Sequence, residues 1–103
     1  QALGDAKAMQ RLLNAMDDEC SEVRAEAATL IGKSCDAEDV QHLLVAKLVD
    51  DDPQVRKNSA LSLMKLTARE SIEGLSKAAE SEQDEGVMKV IEVAIKILKA
   101  DDE

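Results

Sequence analysis

The chain has 103 residues, 45% of them hydrophobic and 34% charged, and its 13 Lys and Arg against 22 Asp and Glu give a formal net charge of -9. Such a composition fits one modest globular domain or a short repeat array better than a disordered tail. The negative charge and the absence of Phe, Tyr and Trp argue against nucleic acid, which needs cations to displace counterions and aromatic platforms for unpaired bases, and against an anionic membrane surface.

No apolar run is long enough for a membrane span, and no charged-then-apolar leader precedes the first helix. Gln1 in place of a starting methionine reads as an excised domain or processed product, so residues 1–103 are expected to be a single domain within a longer chain.

In chain order, "DAKAMQRLLNAM" (5–16) has helical periodicity, with Leu12, Leu13 and Met16 on one face. The acidic turn of "DDECSEVR" (17–24) leads into a helix over Ser21–Ser34, whose buried face is expected to hold Val23, Ala27, Leu30 and Ile31. The next helical segment, "DAEDVQHLLVAKLV" (36–49), starts at a plausible Asp36 cap and carries Val40, Leu43, Leu44 and Leu48.

After it, "DDDPQVR" (50–56) places Asp52 at an N-cap and Pro53 at the first helical position, with Val55, Ser59, Leu63 and Leu66 facing the core. Thr67 and Glu70 are spaced as a capping box for "RESIEGLSKAAE" (69–80), in which Ile72 and Leu75 are apolar. The last turn, "SEQDEGVM" (81–88), opens a helix with Val87, Ile91, Ala94, Ile95 and Leu98 on one face. No strand or hairpin pattern competes.

Val23, Val55 and Val87 are each 32 positions apart, and each follows an acidic turn. Self-similarity of this kind predicts an all-α fold of three antiparallel helix pairs, with repeats at about 5–35, 36–68 and 69–100.

The segments "LLNAMDDECSEVRAEAATLIGKSCD" and "HLLVAKLVDDDPQVRKNSALSLMKL" resemble HEAT repeats, in particular the short bacterial and archaeal kind first associated with phycobilisome lyases. The resemblance implies an alpha-alpha superhelix, a HEAT-like solenoid. It also implies that Asp18 with Arg24, and Asp50 with Arg56, belong to a ladder of ion pairs between neighbouring units, Arg56 satisfying Asp18 or Asp50. In the third repeat Glu82 stands for the aspartate and Met88 for the arginine, so the ladder is expected to end after two rungs. Ala27, Ala28 and Gly32 match positions where helices pack closely.

If the second helices line the concave surface, the rows read Glu26, Asn58, Val90; Thr29, Leu61, Val93; and Lys33, Lys65, Ile97. The surface turns apolar towards the C-terminus, which makes Leu61, Val90, Val93 and Ile97 the candidate partner-binding residues, or a patch for self-association through the final helix. A basic protein is the partner that the charge steers towards.

The chemistry of a catalytic or metal site is missing. The acidic turns lack the D-x-D-x-D-G spacing of a calcium loop, and no CxxC or HExxH is present. Cys20 and Cys35 flank one helix, about 20 Å apart at about 1.5 Å per residue, too far for a disulfide, so free thiols and a reducing, cytoplasmic setting are expected. His42 is followed by Leu43, unlike the repeated His-Glu pairs of HEAT-like metal hydroxylases. The sequence therefore reads as a non-catalytic protein-interaction or scaffold module without a cofactor. The alternative, from the resemblance, is an accessory domain of an enzyme such as a phycobilin lyase-like protein.

Overall fold

The computed structural model describes residues 6–100. Six α-helices follow one another: α1 (Ala6–Ala15), α2 (Ser21–Ser34), α3 (Ala37–Ala46), α4 (Pro53–Lys65), α5 (Ile72–Ser81) and α6 (Glu85–Ala100). Asp5, where the first helix was expected to begin, lies outside the described residues.

The second helices form the tighter layer, α2 packing along α4 and α4 along α6, while α1, α3 and α5 each pack against the second helix of their own pair. The result is a slab with Cα extents of 35 × 32 × 15 Å, an all-α array of three helix pairs. Ile31, Leu44, Leu48, Leu63, Leu75, Ile91 and Leu98 are fully buried between the layers, with Val40, Val55 and Val87 completing the centre.

The turns explain the acidic spacing. Asp18 Oδ1 accepts the amide of Cys20 at 2.8 Å, Asp50 Oδ1 that of Asp52 at 2.9 Å and Glu82 Oε2 that of Asp84 at 2.9 Å. In each repeat a carboxylate thus holds the N–H two residues on and shapes the entry into the second helix. Pro53 at the start of α4 brings a pre-set φ and no N–H to satisfy. Asp52 and Asp36 occupy N-cap positions, yet neither side chain makes the cap bond. Asp84 does, accepting the Val87 amide at 2.9 Å at the head of α6.

Three expectations change. The helix expected over 36–49 ends at Ala46 and tightens into a 3-10 turn, Lys47–Val49, which leaves Val49 70% exposed. The Thr67–Glu70 capping box does not form, because Arg69–Ser71 is a 3-10 turn and Ser71 stands at the N-cap of α5. Thr67 instead ends α4. With φ of 54° it is left-handed, its amide reaching Met64 O at 3.0 Å and that of Ala68 reaching Leu63 O at 3.1 Å, the bond pair of a Schellman motif. Ala68 and Leu63 both belong to the buried core cluster, in keeping with the apolar residues this motif favours at those two positions.

A β-branched residue in this conformation is strained, and glycine is not. Thr67→Gly is therefore expected to stabilise the fold by about 0.5–1 kcal/mol, read as a rise of a few degrees in a thermal melt. An unchanged or lower midpoint would show that the threonine carries no strain.

The third change concerns Val23 and Leu30, expected in the core but 39% and 40% exposed. Their counterparts Val55 and Val87, and Ser62 and Ala94, are all buried. The difference is positional: α4 and α6 each lie against the second helix of the preceding repeat, and α2 has no such neighbour among the described residues.

Candidate functional site

The acidic turns lie along one edge of the slab and are joined by two arginines. Arg24 sits on the first turn of α2 and crosses to the next repeat, Nε donating to Asp50 Oδ2 and Nη2 to Asp50 Oδ1, both at 3.0 Å. Its Nη1 donates backwards to the carbonyls of Asp18 at 2.7 Å and Glu19 at 3.2 Å, and Nη2 also reaches Asp51 Oδ1 at 3.2 Å. Arg56, one repeat on, holds Glu82 through Nε at 2.8 Å and Nη2 at 3.0 Å, with Nη1 on Asp50 O at 2.8 Å.

Each planar guanidinium thus clips its own turn by a carbonyl and the next turn by a carboxylate, a fixed fork that lysine does not offer. The expected assignment needs correction. Arg56 pairs with the carboxylate of Glu82, not of Asp18 or Asp50, and the Asp18 carboxylate meets only an amide among the described residues. The reason is reach: each arginine extends forward to a carboxylate 26 residues on.

Burial pushes the Asp50 and Glu82 carboxyls up. The hydrogen bonds and charges of Arg24 and Arg56, with the amides of Asp52 and Asp84, outweigh it and leave both below the usual carboxylate range. Both arginines are in turn held more firmly charged, chiefly by the same side-chain bonds. This edge is a structural clamp, in which the Asp50 and Glu82 carboxylates are already engaged.

The candidate patch divides. Val93 and Ile97, one turn apart on α6, are 45% and 43% exposed. Leu61 is half-buried, and Val90 is half-buried and packed against the core. The row through Asn58 and Val90 also runs towards the preceding repeat, since Asn58 Nδ2 donates to Ala25 O at 2.9 Å. The free apolar strip is therefore narrower than expected, centred on Val93 and Ile97.

A second feature was not legible in the sequence: an open groove of about 630 Å³ between α1 and α3, floored by Met9, Leu13, Met16, Val40, Leu43 and Ala46. Asp17, Asp39, His42 and Lys47 stand around it, Lys47 Nζ bonding Asp17 Oδ1 at 3.0 Å. Its signal was the strong apolar stripe of α1, a helix with no fully buried residue.

Both cysteines are free, Cys20 exposed before α2 and Cys35 half-buried after it. Burial first, then the charges of Asp39 and Asp36, push the Cys35 thiol up and make it a poorer nucleophile. Among the described residues no group of three His, Cys, Asp or Glu side chains is arranged to hold a metal ion. No helix among them is long and apolar enough to cross a membrane.

A family model described as HEAT repeats matches residues 9–96. The bilin biosynthesis protein MpeU of Synechococcus sp. (strain WH8020) is 53% identical over 83 residues, which cover 81% of this chain and 28% of that protein. The chain thus spans little more than a quarter of the curated relative it matches. No solved structure matches. With three helix pairs in a 32-residue repeat, clipped by forward-reaching arginines and matched over nearly the whole length, the chain belongs to the HEAT-repeat family.

Proposed function

We propose that this chain is a non-catalytic protein-interaction module, built of HEAT repeats, that acts within bilin biosynthesis and docks its protein partner on the outer face of α6. The observation that carries the reading is the strip of Val93 and Ile97, nearly half exposed on a helix whose other large apolar side chains are buried or half-buried. By the 32-residue spacing Leu61 falls in the same row as Val93, and Val90 lies on α6 before it. Each aliphatic side chain, if fully buried by a partner, would contribute about 1.5–3 kcal/mol before the costs of association. A net charge of -9 favours a partner with a basic surface. The bilin context rests on the likeness to MpeU.

Replacing Val93 and Ile97 together with glutamate is expected to leave the helical circular dichroism intact and to abolish binding of the partner recovered in a pull-down, or any self-association through α6. Loss of the helical signal would instead make these residues core, and unchanged binding would move the interface elsewhere.

The second reading, an accessory domain of a phycobilin lyase-like enzyme, draws on the same relative. The groove between α1 and α3 is large and apolar enough to suggest a ligand, but its rim opposes an anionic tetrapyrrole. Asp17 and Asp39 stand there, and Lys47, the cation lining it, is already paired with Asp17. Titrating the chain with a free bilin separates the readings: an interaction module leaves the bilin absorbance unshifted, and a saturable shift would favour the lyase-like role.

A further inference from the structure

The groove between α1 and α3 belongs neither to the α6 strip nor to the arginine clamp. It lies on the layer of first helices, between two repeats that are both present, so it is not an end of the array. Its lining is aliphatic and thioether: Met9, Leu13 and Leu43 are half-buried, and Met16 and Val40 are buried. Methionine repacks readily around an incoming surface. Asp17, beyond the end of α1, and Lys47, after the end of α3, bond at 3.0 Å and tie the two walls together at their C-terminal ends.

Charge is spread unevenly around this groove. At about 100° per residue Lys7 and Arg11 fall on the side of α1 away from Met9. The exposed acids Glu38 and Asp39 stand on the first turn of α3. His42, one turn further on, lines both the groove and a second opening of about 440 Å³ that Glu38, Gln41 and Glu70 also line. Gln41 Nε2 donates to Glu70 Oε1 at 3.1 Å, and its own Oε1 is buried with no partner among the described residues. Carboxylates and an amide oxygen accept, so a group placed beside them has to donate.

We propose that the α1–α3 groove is the docking site for one amphipathic helix of a partner protein, apolar on one face and flanked by lysine or arginine, whose cations meet Glu38, Asp39 and Glu70. The occupant is helical because both walls keep their backbone bonds to themselves and an apolar floor offers an extended chain nothing to pair with. A helix arrives with its own bonds made. The walls are 10 residues each, about 15 Å at 1.5 Å per residue, which seats about three turns. The occupant is basic because four carboxylates, Asp17, Glu38, Asp39 and Glu70, line the two openings against one cation, Lys47, which is already paired. A second copy of this chain, itself at -9, is opposed by charge. The site is separate from the α6 strip and does not rest on the function proposed for it.

The probe is a labelled, end-blocked peptide of about 15 residues, with leucine along one helical face and lysine on its flanks, set beside a second peptide in which glutamate replaces each lysine. In fluorescence anisotropy the lysine peptide is expected to bind the unaltered chain saturably and one to one, and the glutamate peptide about tenfold more weakly or not at all. Met9→Gln with Ala46→Gln, both at groove positions that are not buried, should weaken the lysine peptide about tenfold. Glu38→Gln with Asp39→Asn should weaken it severalfold and flatten its dependence on salt. Val93→Glu with Ile97→Glu should leave it unchanged.

Absence of saturable binding overturns the proposal, as does equal binding of the two peptides or binding indifferent to the changes at Met9 and Ala46. Loss of binding in the Val93 and Ile97 variant overturns it by placing the peptide on α6. A dimer of the unaltered chain that Met9→Gln with Ala46→Gln abolishes overturns it too, since the groove would then hold a second copy. If the Met9 variant does not fold, Ala46→Gln alone and the change of the two carboxylates carry the same comparison.

Discussion

Gly32→Ala is expected to destabilise the protein by about 2–3 kcal/mol, against the direction that helix propensity gives. Glycine inside a helix costs about 1 kcal/mol relative to alanine, so in an isolated α2 the change would help. Packing against α4 reverses the sign. A Cβ at Gly32 would sit 2.5 Å from Ser62 Cβ and 3.0 Å from its Cα, closer still to Oγ. Rotating the serine does not relieve this, because the contact includes its backbone. The helices must separate, which weakens the Ser62 bond to Ala28 O at 2.7 Å and loosens the junction around the fully buried Ala28 and Ala60. Overpacking of this kind costs about 1–3 kcal/mol, and strain on a buried hydrogen bond adds to it.

For a domain of this size the loss corresponds to a drop of roughly 10–20 °C in the melting midpoint. Ser62→Gly in the same chain should restore much of it, and a double-mutant cycle reads the coupling directly. Gly74→Ala is a useful contrast. The nearest atom to its Cβ is a methyl of Val45, at 2.7 Å, a side chain that can shift without moving a helix, so the cost should be smaller. An equal loss at both positions would show that the close approach of α2 and α4 is not what selects glycine at 32.

How much of this was legible in the sequence depends on whether a feature is local. The six helices and their pairing follow from periodicity and from the turns in which an acid precedes the valines at 23, 55 and 87. Burial is not local in a repeat protein. Val23 and Val55 occupy the same place in the same motif, yet one is 39% exposed and the other buried, because among the described residues only the second has a preceding repeat against it.

The ion pairs were misassigned for a related reason. Asp18, Arg24, Asp50 and Arg56 are all visible in the motif, but which carboxylate each arginine meets is set by how one repeat sits on the next. Thr67 hid its role because left-handed helix ends usually announce themselves with glycine, and here a threonine took the position. The groove between α1 and α3 was equally hidden, since a stripe of Met9, Leu13 and Met16 reads as core whether or not an element covers it.

The clamp itself provides the other large expected effect. In Arg56→Met the Glu82 carboxylate, 2% exposed, loses both guanidinium bonds and keeps the Asp84 amide. The cost at neutral pH is expected to be about 2–3 kcal/mol, between the small value of an exposed pair and the larger one of a fully buried pair, since Arg56 itself is 18% exposed. Arg56→Lys should recover less than half, because a single ammonium cannot hold two carboxylate oxygens and the Asp50 carbonyl in one plane.

The pH dependence carries the stronger test. Glu82 titrates below its usual value in the folded protein, so the unfolded chain binds the proton more readily. The stability contributed by the pair is therefore full above the ordinary glutamate value of about 4.3 and is lost as pH falls through the folded value. In Arg56→Met the main downward influence is gone and burial remains, which raises the carboxyl and lets it neutralise sooner. The difference between the two proteins should consequently be largest near pH 7, begin to shrink as the pH falls through the raised value of the variant, and be smallest below the depressed folded value of Glu82 in the unaltered protein. Urea melts at both ends of that range read it directly. A difference that stays constant with pH would mean that Arg56 acts through its aliphatic stem and not through the charge of Glu82.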